Sequence, residues 1–392
     1  MFGHSKKRVA HFVRKCLPPY SSFIRNQIMN HRNYSPVVVY KEFVNSNFAR
    51  EILGKLPSFN CEDGKKGITK LCSDLFYKRP FRRITPYDVR NISEFLRKSD
   101  VRIIHYHYGT DAGVFTQAAA RLNLPSVVSF YGYDCSSFPR WYFGLGAYYL
   151  RKVFANTNYC LAMSKDMETD LLRIGCPSSK IIVHYYGTDV QQFYCKRKYT
   201  DRNDVIFLMV ASLVPQKGHF FALAGLKRAL RLTSKSLKLR IIGEGPLESE
   251  LIRYVEENDL SNHVHFTGAL NYLSSEFLRE YSNAHVFVHP SVVSETQEKE
   301  GIPGTIVEAM ASGLPVLSTY HAGIPSIITN DNTGLLVDEW DICKLAKCMV
   351  VLAESPHLRS SIGRKAQKYA LAELDLNIKE KELEDIYNFA IR

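Results

Sequence analysis

Two carboxylates, Glu300 and Glu308, flank a run built to hold a phosphate: Glu300-Gly301-Ile302-Pro303-Gly304-Thr305-Ile306-Val307-Glu308. Glycine and proline interrupt regular structure over 301–304. The amphipathic stretch from Thr305 to Met310, closed by Gly313, predicts a short helix with a glycine stop. Backbone N–H groups of the 301–305 stretch then lie at a helix N-terminus, where unpaired donors and the helix dipole favour an anion. A carboxylate on each side can accept hydrogen bonds from sugar hydroxyls, one set on a ribose and the other on the group beyond a diphosphate. For an isolated pair of glutamates the plainer reading, one capping and one solvated, would prevail. Lys217 follows the apolar run Val205 to Val210 and precedes a helix, so its ammonium can point at a diphosphate above a sheet, although a surface lysine is the plainer reading of that residue taken alone.

The elements that must position these groups alternate along the chain. In the first half, 37–40, 101–105, 126–130, 159–163 and 181–184 read as short buried strands, with helices such as 111–122 and 165–174 between them. The polar stretch 194–204 has no periodicity and reads as a linker. A second series follows at 205–210, 239–242, 264–266, 285–288, 316–318 and 334–337, with later helices at 341–353, 356–370 and 376–391. Two successive βαβ series, in a chain of 392 residues, predict two doubly wound parallel-sheet domains with ligands at the carboxyl ends of the strands, in a cleft between them.

The block His289-Pro290-Ser291, Glu300-Gly301-Ile302-Pro303, Glu308 to Val316 and His321-Ala322-Gly323-Ile324-Pro325 resembles the donor-site signature of the retaining glycosyltransferases of family four. Lys217-Gly218, Gly243-Glu244-Gly245-Pro246, Val264 to Gly268, His105 to Gly109 and Gly187-Thr188-Asp189 extend the resemblance over almost the whole chain. It implies the GT-B fold: an acceptor domain over 1–195, a donor domain over 196–375, and a helix over 376–392 returning to the first. Lys217, Ser212, Gly243, Gly268, Glu300 to Thr305 and Glu308 would bind the donor, a UDP- or GDP-linked sugar, with no metal or other cofactor. Glu300, Lys217, Tyr131 and His107 would carry the catalytic roles. Tyr20, Ser21, His105, His107, Tyr133 and Asp134 would face the acceptor, a lipid-linked saccharide or other glycan. The implied task is retaining transfer of a hexose in surface polysaccharide synthesis. A silent scaffold of this fold and a nucleotide-sugar epimerase are the other classes these residues allow.

Three positions depart from the family pattern. Ser212 stands where an arginine commonly shares the diphosphate charge, and a serine keeps at most one neutral hydrogen bond there. Tyr131 replaces the histidine of a Phe-His-Gly motif, and a phenol is no ready base. Residues 296–299 lack the usual glycine and acidic residue. No two aspartates stand two apart, so there is no Asp-x-Asp pair of the kind that holds a metal in GT-A enzymes. Neutralising the leaving diphosphate then falls to Lys217 and backbone N–H groups, and the resemblance implies a front-face, oxocarbenium-like substitution.

Charge is uneven. Residues 1–200 hold 31 Lys and Arg against 14 Asp and Glu, a net +17, whereas the remainder is net −5. The basic half predicts an anionic partner. Lys6-Lys7-Arg8, Lys65-Lys66, Lys78-Arg79 with Arg82-Arg83, and Lys196-Arg197-Lys198 are the concentrated spots, with aromatics from Phe76 to Phe81 and from Trp141 to Tyr149 beside them. Cations beside amphipathic aromatics suit an anionic membrane surface; no nucleic-acid motif is present. Nine cysteines without a C-x-x-C pair, and no apolar run long enough to span a bilayer, predict a cytoplasmic protein bound peripherally to the inner face of the membrane.

Overall fold

The computed structural model describes residues 6–18, 21–77 and 82–392. The chain divides into two compact units, Met1–Gly187 with Leu376–Arg392, and Thr188–Asp375. In the first unit seven strands, β1 (Lys7–Cys16), β2 (Tyr34–Phe43), β3 (Ser58–Asn60), β4 (Val101–His107), β5 (Ser126–Ser129), β6 (Tyr159–Ala162) and β7 (Ile181–Val183), form one parallel sheet in the order 3-2-1-4-5-6-7. The second unit holds β8 (Asp204–Val210), β9 (Ser236–Ile242), β10 (Val264–Gly268), β11 (Val286–His289), β12 (Val316–Thr319) and β13 (Leu335–Val337), parallel in the order 10-9-8-11-12-13. Both orders reverse beside the first strand of the unit, between β1 and β4 and between β8 and β11. At such a switch point neighbouring loops diverge and leave room for a ligand.

The strands are apolar because helices cover both faces. Phe207, Met209, Leu239, Ile241, Val286, Val288 and Leu317 are wholly buried, packed with Leu226, Met349 and Leu352 from covering helices. In the first unit Val9, Ile103, Val127 and Leu161 form a core with Leu383 and Tyr387 of the helix Leu376–Ile391.

In two of the basic runs one residue is not free surface, contrary to its reading as part of an anion-binding spot, whereas Lys66, Lys196 and Lys198 are exposed. Lys65 is buried, its Nζ 2.7 Å from Asp88 Oδ1, and the two side chains are each 2% exposed. Arg197, within the expected linker, donates to the carbonyls of Tyr281 (2.5 Å), Ala284 (2.6 Å) and Ser312 (3.0 Å). These carbonyls end or follow the helices Ser275–Asn283 and Gly304–Ala311, whose negative dipole ends attract a cation. The stretch after Gly187 is therefore packed onto the second unit. Lys78, Arg79 and Phe81 lie outside the described residues. No helix among the described residues is long and apolar enough to cross a membrane.

Candidate functional site

In the second unit β8 leads through Ala211, exposed Ser212 and Leu213 into a 3-10 turn, Pro215–Lys217, and then the helix His219–Ala229. Gly218 joins them at φ +74°, and a Cβ there would lie 1.9 Å from the Pro290 carbonyl oxygen. Only glycine lets this loop sit against the end of β11. That contact brings Lys217 to the loop carrying Glu300. Lys217 Nζ donates to Glu300 Oε2 at 2.7 Å, with the side chains 17% and 13% exposed. The two groups expected to hold a donor hold each other here.

A second chain of hydrogen bonds fixes Glu300. Its backbone N–H donates to His321 Nε2 (3.0 Å), and His321 Nδ1 is 2.6 Å from Glu339 Oε1. A nitrogen that accepts carries no proton, so the proton is on Nδ1 and is donated to Glu339. Glu339 also accepts from the Val293 N–H at 2.8 Å. Burial pushes its carboxyl up, but these bonds outweigh burial and hold it below the usual range.

The helix Gly304–Ala311 starts after Pro303, whose side chain can offer no cap. Gly301, Ile302 and Pro303 are buried, and Gly304 and Thr305 half-buried. Gly243, at φ +147°, closes on the preceding loop, since a Cβ would lie 1.9 Å from Ala211 O. Gly268, at φ +74°, faces open space. Behind Lys217, His219, His289 and Ser291 are buried, and their ring nitrogens and hydroxyl have no hydrogen-bond partner. Such orphans cost roughly 1–3 kcal/mol each unless something else partners them. Burial and Lys217 keep both imidazoles uncharged, His219 at about 3 and His289 well below its ordinary value.

Glu308 is less open than its expected contact with ribose implies. It is 5% exposed, and Tyr281 donates to its Oε2 at 2.6 Å. Burial pushes its carboxyl up to about 7, against hydrogen bonds from Tyr281 and Tyr272.

In the first unit the histidines at the end of β4 belong to a buried chain. His107 Nε2 is 2.9 Å from His11 Nδ1, and His11 Nε2 is 2.8 Å from His31 Nε2. His31 Nδ1 lies 2.6 Å from Glu380 Oε1. At the other end His107 Nδ1 meets the Tyr131 hydroxyl at 2.7 Å, and Tyr131 donates to Gln27 Oε1 at 3.2 Å. With that donor direction every later proton is placed. His107 donates to Tyr131, His11 to His107 and His31 to His11. Ring nitrogens of His11, His105 and His107 lie within 4.8 Å of one another, close enough to share a cation. All six are nevertheless engaged: His105 meets Tyr387 OH (2.6 Å) and Ser129 Oγ (2.7 Å), and the others form the chain. Hydrogen bonding therefore accounts for the cluster. Burial holds His107 at about 3 and His11 and His105 well below their ordinary value.

Several residues expected at the acceptor are thus interior. His105 and His107 share one face, their rings stacked at 4.4 Å, but both are 0% exposed. Asp134 is also 0% exposed and accepts from the N–H groups of Gly109, Tyr131 and Gly132, so it anchors loops. Burial outweighs those bonds and pushes it to about 6. Ser21 is buried and donates to Pro18 O. Tyr133 packs edge-on to Trp141. Tyr20 lies outside the described residues. His11 and His31, which complete the chain, were missed because each sits alone in its own segment.

Tyr131→Phe removes the hydroxyl that bridges His107 and Gln27 and strands a buried imidazole nitrogen. It should cost about 1–2 kcal/mol, read as a lowered thermal midpoint. An unchanged midpoint would show that the chain does not hold the first unit together.

Residues 191–369 match the family model described as glycosyl transferases group 1, and residues 42–192 match that of glycosyltransferase family 4. The amylovoran biosynthesis glycosyltransferase AmsK of Erwinia amylovora is 29% identical over 270 residues, 65% of this chain and 62% of its own. The putative colanic acid biosynthesis glycosyltransferase WcaL of Escherichia coli (strain K12) is 32% identical over 204 residues, 52% of this chain and 50% of its own. The match thus spans about half to three-fifths of the length of these relatives. The crystal structure of Anabaena Alr3699/HepE with UDP and glucose superposes with a TM-score of 0.78 at 15% identity, covering 98% of this chain and 100% of that one. At that identity the likeness is one of fold. With both halves matched by models of one family, and with two doubly wound parallel-sheet units, the chain belongs to glycosyltransferase family four, of GT-B fold.

Proposed function

We propose that the protein transfers a hexose from a UDP- or GDP-linked sugar to a lipid-linked glycan acceptor, with retention, in the synthesis of a surface polysaccharide. The observation that carries this is the Lys217–Glu300 pair beside an uncapped helix N-terminus, at the carboxyl ends of β8 and β11. A diphosphate arriving there offers Lys217 a stronger anion than Glu300, and the released carboxylate can accept from sugar hydroxyls. The orphaned atoms of His219, His289 and Ser291 supply further polar partners nearby. Glu308, which already accepts from Tyr281 and Tyr272, would accept from the ribose with its remaining lone pairs. As the anomeric bond to the diphosphate breaks, Lys217 and the first N–H groups of 304–311 neutralise the growing charge. The acceptor oxygen attacks from the same face and its proton passes to the departing phosphate. No metal or other cofactor enters this scheme. AmsK and WcaL are named for polysaccharide biosynthesis, and HepE was solved with UDP, which supports the donor class and the task. The remaining basic surface of the first unit suits peripheral attachment to the cytoplasmic face of an anionic membrane.

A silent scaffold of the same fold draws on the uncharged Ser212 and on Tyr131 in place of a histidine. Isothermal titration with UDP-, GDP- and ADP-sugars, followed by turnover with the one that binds, separates the two. Binding to one nucleotide class is expected, and no binding across the panel would sink the enzymatic reading.

A further inference from the structure

The first unit has an apolar cavity that the scheme above does not use. Gly113 lets the helices Gly109–Leu122 and Trp141–Asn156 approach closely, and Gly146 lets the second of them pack against the preceding turn Phe138–Arg140. A Cβ on Gly113 would lie 2.2 Å from the Tyr149 ring, and one on Gly146 would lie 2.0 Å from Phe138 O. Tyr149 OH also donates to Thr110 O at 2.9 Å. Beside this contact lies a cavity of about 260 Å³, walled by Val114, Ala120, Phe138, Trp141, Leu145 and Tyr149. Among the described residues the charged ones lining it are Arg82, Arg83 and Lys152, with no carboxylate. Asp111, which interacts with Arg82, is already held by Arg14.

The backbone beside the cavity is strained outward. Tyr142, Phe143 and Gly144 take φ of 51°, 57° and 91° within the helix, and left-handed non-glycine residues cost roughly 1–2 kcal/mol each. The turn leaves Phe143 fully exposed, with Tyr142, Leu145 and Tyr148 about half exposed. A second apolar face joins this rim. The helix Gly67–Phe76 exposes Ile68, Leu71 and Leu75, spaced for one side, together with Phe76, whose carbonyl accepts from the Arg83 N–H. Apolar side chains turned to solvent beside cations and an apolar hole match an amphiphile with an anionic head.

We propose that this cavity takes the chain of a lipid phosphate, with Arg83, Lys152 and Arg82 over the phosphate head and Phe143 entering the surrounding bilayer. The inference rests on the lipid-linked acceptor proposed above and names the part of the protein that would grip its lipid end.

The test uses the full chain with Trp340→Phe, so that Trp141 is the sole tryptophan, and follows its fluorescence with dodecyl phosphate below its micelle concentration. A saturable change is expected. Dodecyl maltoside, with the same chain and a neutral head, should bind at least about tenfold more weakly, since each cation near an anionic head adds about a fivefold gain. Inorganic phosphate should give no change. Ala120→Phe, which fills the cavity from a solvent-facing position, should abolish the response, and Arg83→Glu with Lys152→Glu should weaken it by about tenfold or more. Phe143→Asp should lower partition onto vesicles containing phosphatidylglycerol while leaving dodecyl phosphate binding intact. Equal binding of the two detergents would reduce the site to a plain apolar pocket, and an undiminished response in Ala120→Phe would put the ligand elsewhere. Either result overturns the proposal. Nucleotide-sugar titration of the same variants shows whether the donor reading survives its loss.

Discussion

Lys217→Ala should lower kcat by about 10²–10³-fold, the usual loss when one group neutralising a developing oxyanion is removed. The size follows from how little else stands there. Ser212 offers no charge, and His219 and His289 are kept uncharged by burial and by Lys217 itself. The remaining electrostatic help would be the dipole of the short helix 304–311, worth well under the contribution of a full cation. Donor affinity should fall as well, because an ammonium–phosphate contact is already present in the ground state. Lys217→Arg should recover part of both, since it keeps the charge but not the reach set by Gly218 against Pro290. Initial rates and donor titration on the two variants make the measurement. Near-wild-type turnover in Lys217→Ala would place the diphosphate elsewhere and leave the pair with Glu300 as simple surface stabilisation.

The two sheets were legible because parallel strands covered on both faces read as unbroken apolar runs, such as Val205 to Val210 and Val37 to Tyr40. The short edge strand Ser58–Asn60 has no such run and went unseen. The loop around Glu300 was legible from glycine, proline and helix period. Its salt bridge to Lys217 was not, because that contact depends on Gly218 fitting under the Pro290 carbonyl, a fact of three dimensions. Charge misled most. Arg197 and Lys65 look like surface cations in one dimension, yet one caps helix ends and the other is sealed in an ion pair. Nor did the sequence single out Glu380 and Glu384 in the last helix. Glu380 ends the histidine chain, and Glu384 accepts from the N–H groups of Arg32 and Asn33. A polar side chain's periodicity tells which face it is on, not whether another segment covers that face.

Glu308 carries the second large expected effect, and it is one of stability against pH. Its carboxyl titrates near 7 in the folded protein, raised by burial, against about 4.5 when unfolded. Between those values the folded state holds a proton the unfolded chain has released, so stability falls as pH rises through the window. The full contribution is present below about pH 4.5 and is lost by about pH 8. At 1.36 kcal/mol per unit the loss amounts to about 3 kcal/mol. Glu308→Gln has no proton to lose, while its amide oxygen can still accept from Tyr281. The wild-type protein should therefore lose about 2.5 kcal/mol relative to Glu308→Gln between pH 5 and pH 8, measured by denaturant unfolding of the second unit. Asp134, raised to about 6 in the first unit, is present in both proteins and cancels from the difference. Glu308→Ala should be costly at every pH, since it leaves a cavity and removes the acceptor of the Tyr281 hydroxyl. Donor added at pH 8 should restore part of the loss in the wild type, because ribose hydroxyls would give the ionised carboxylate new donors. Parallel stability curves for wild type and Glu308→Gln would mean that the carboxylate is solvated or stays ionised throughout, and the ribose contact would then have to be sought at another residue.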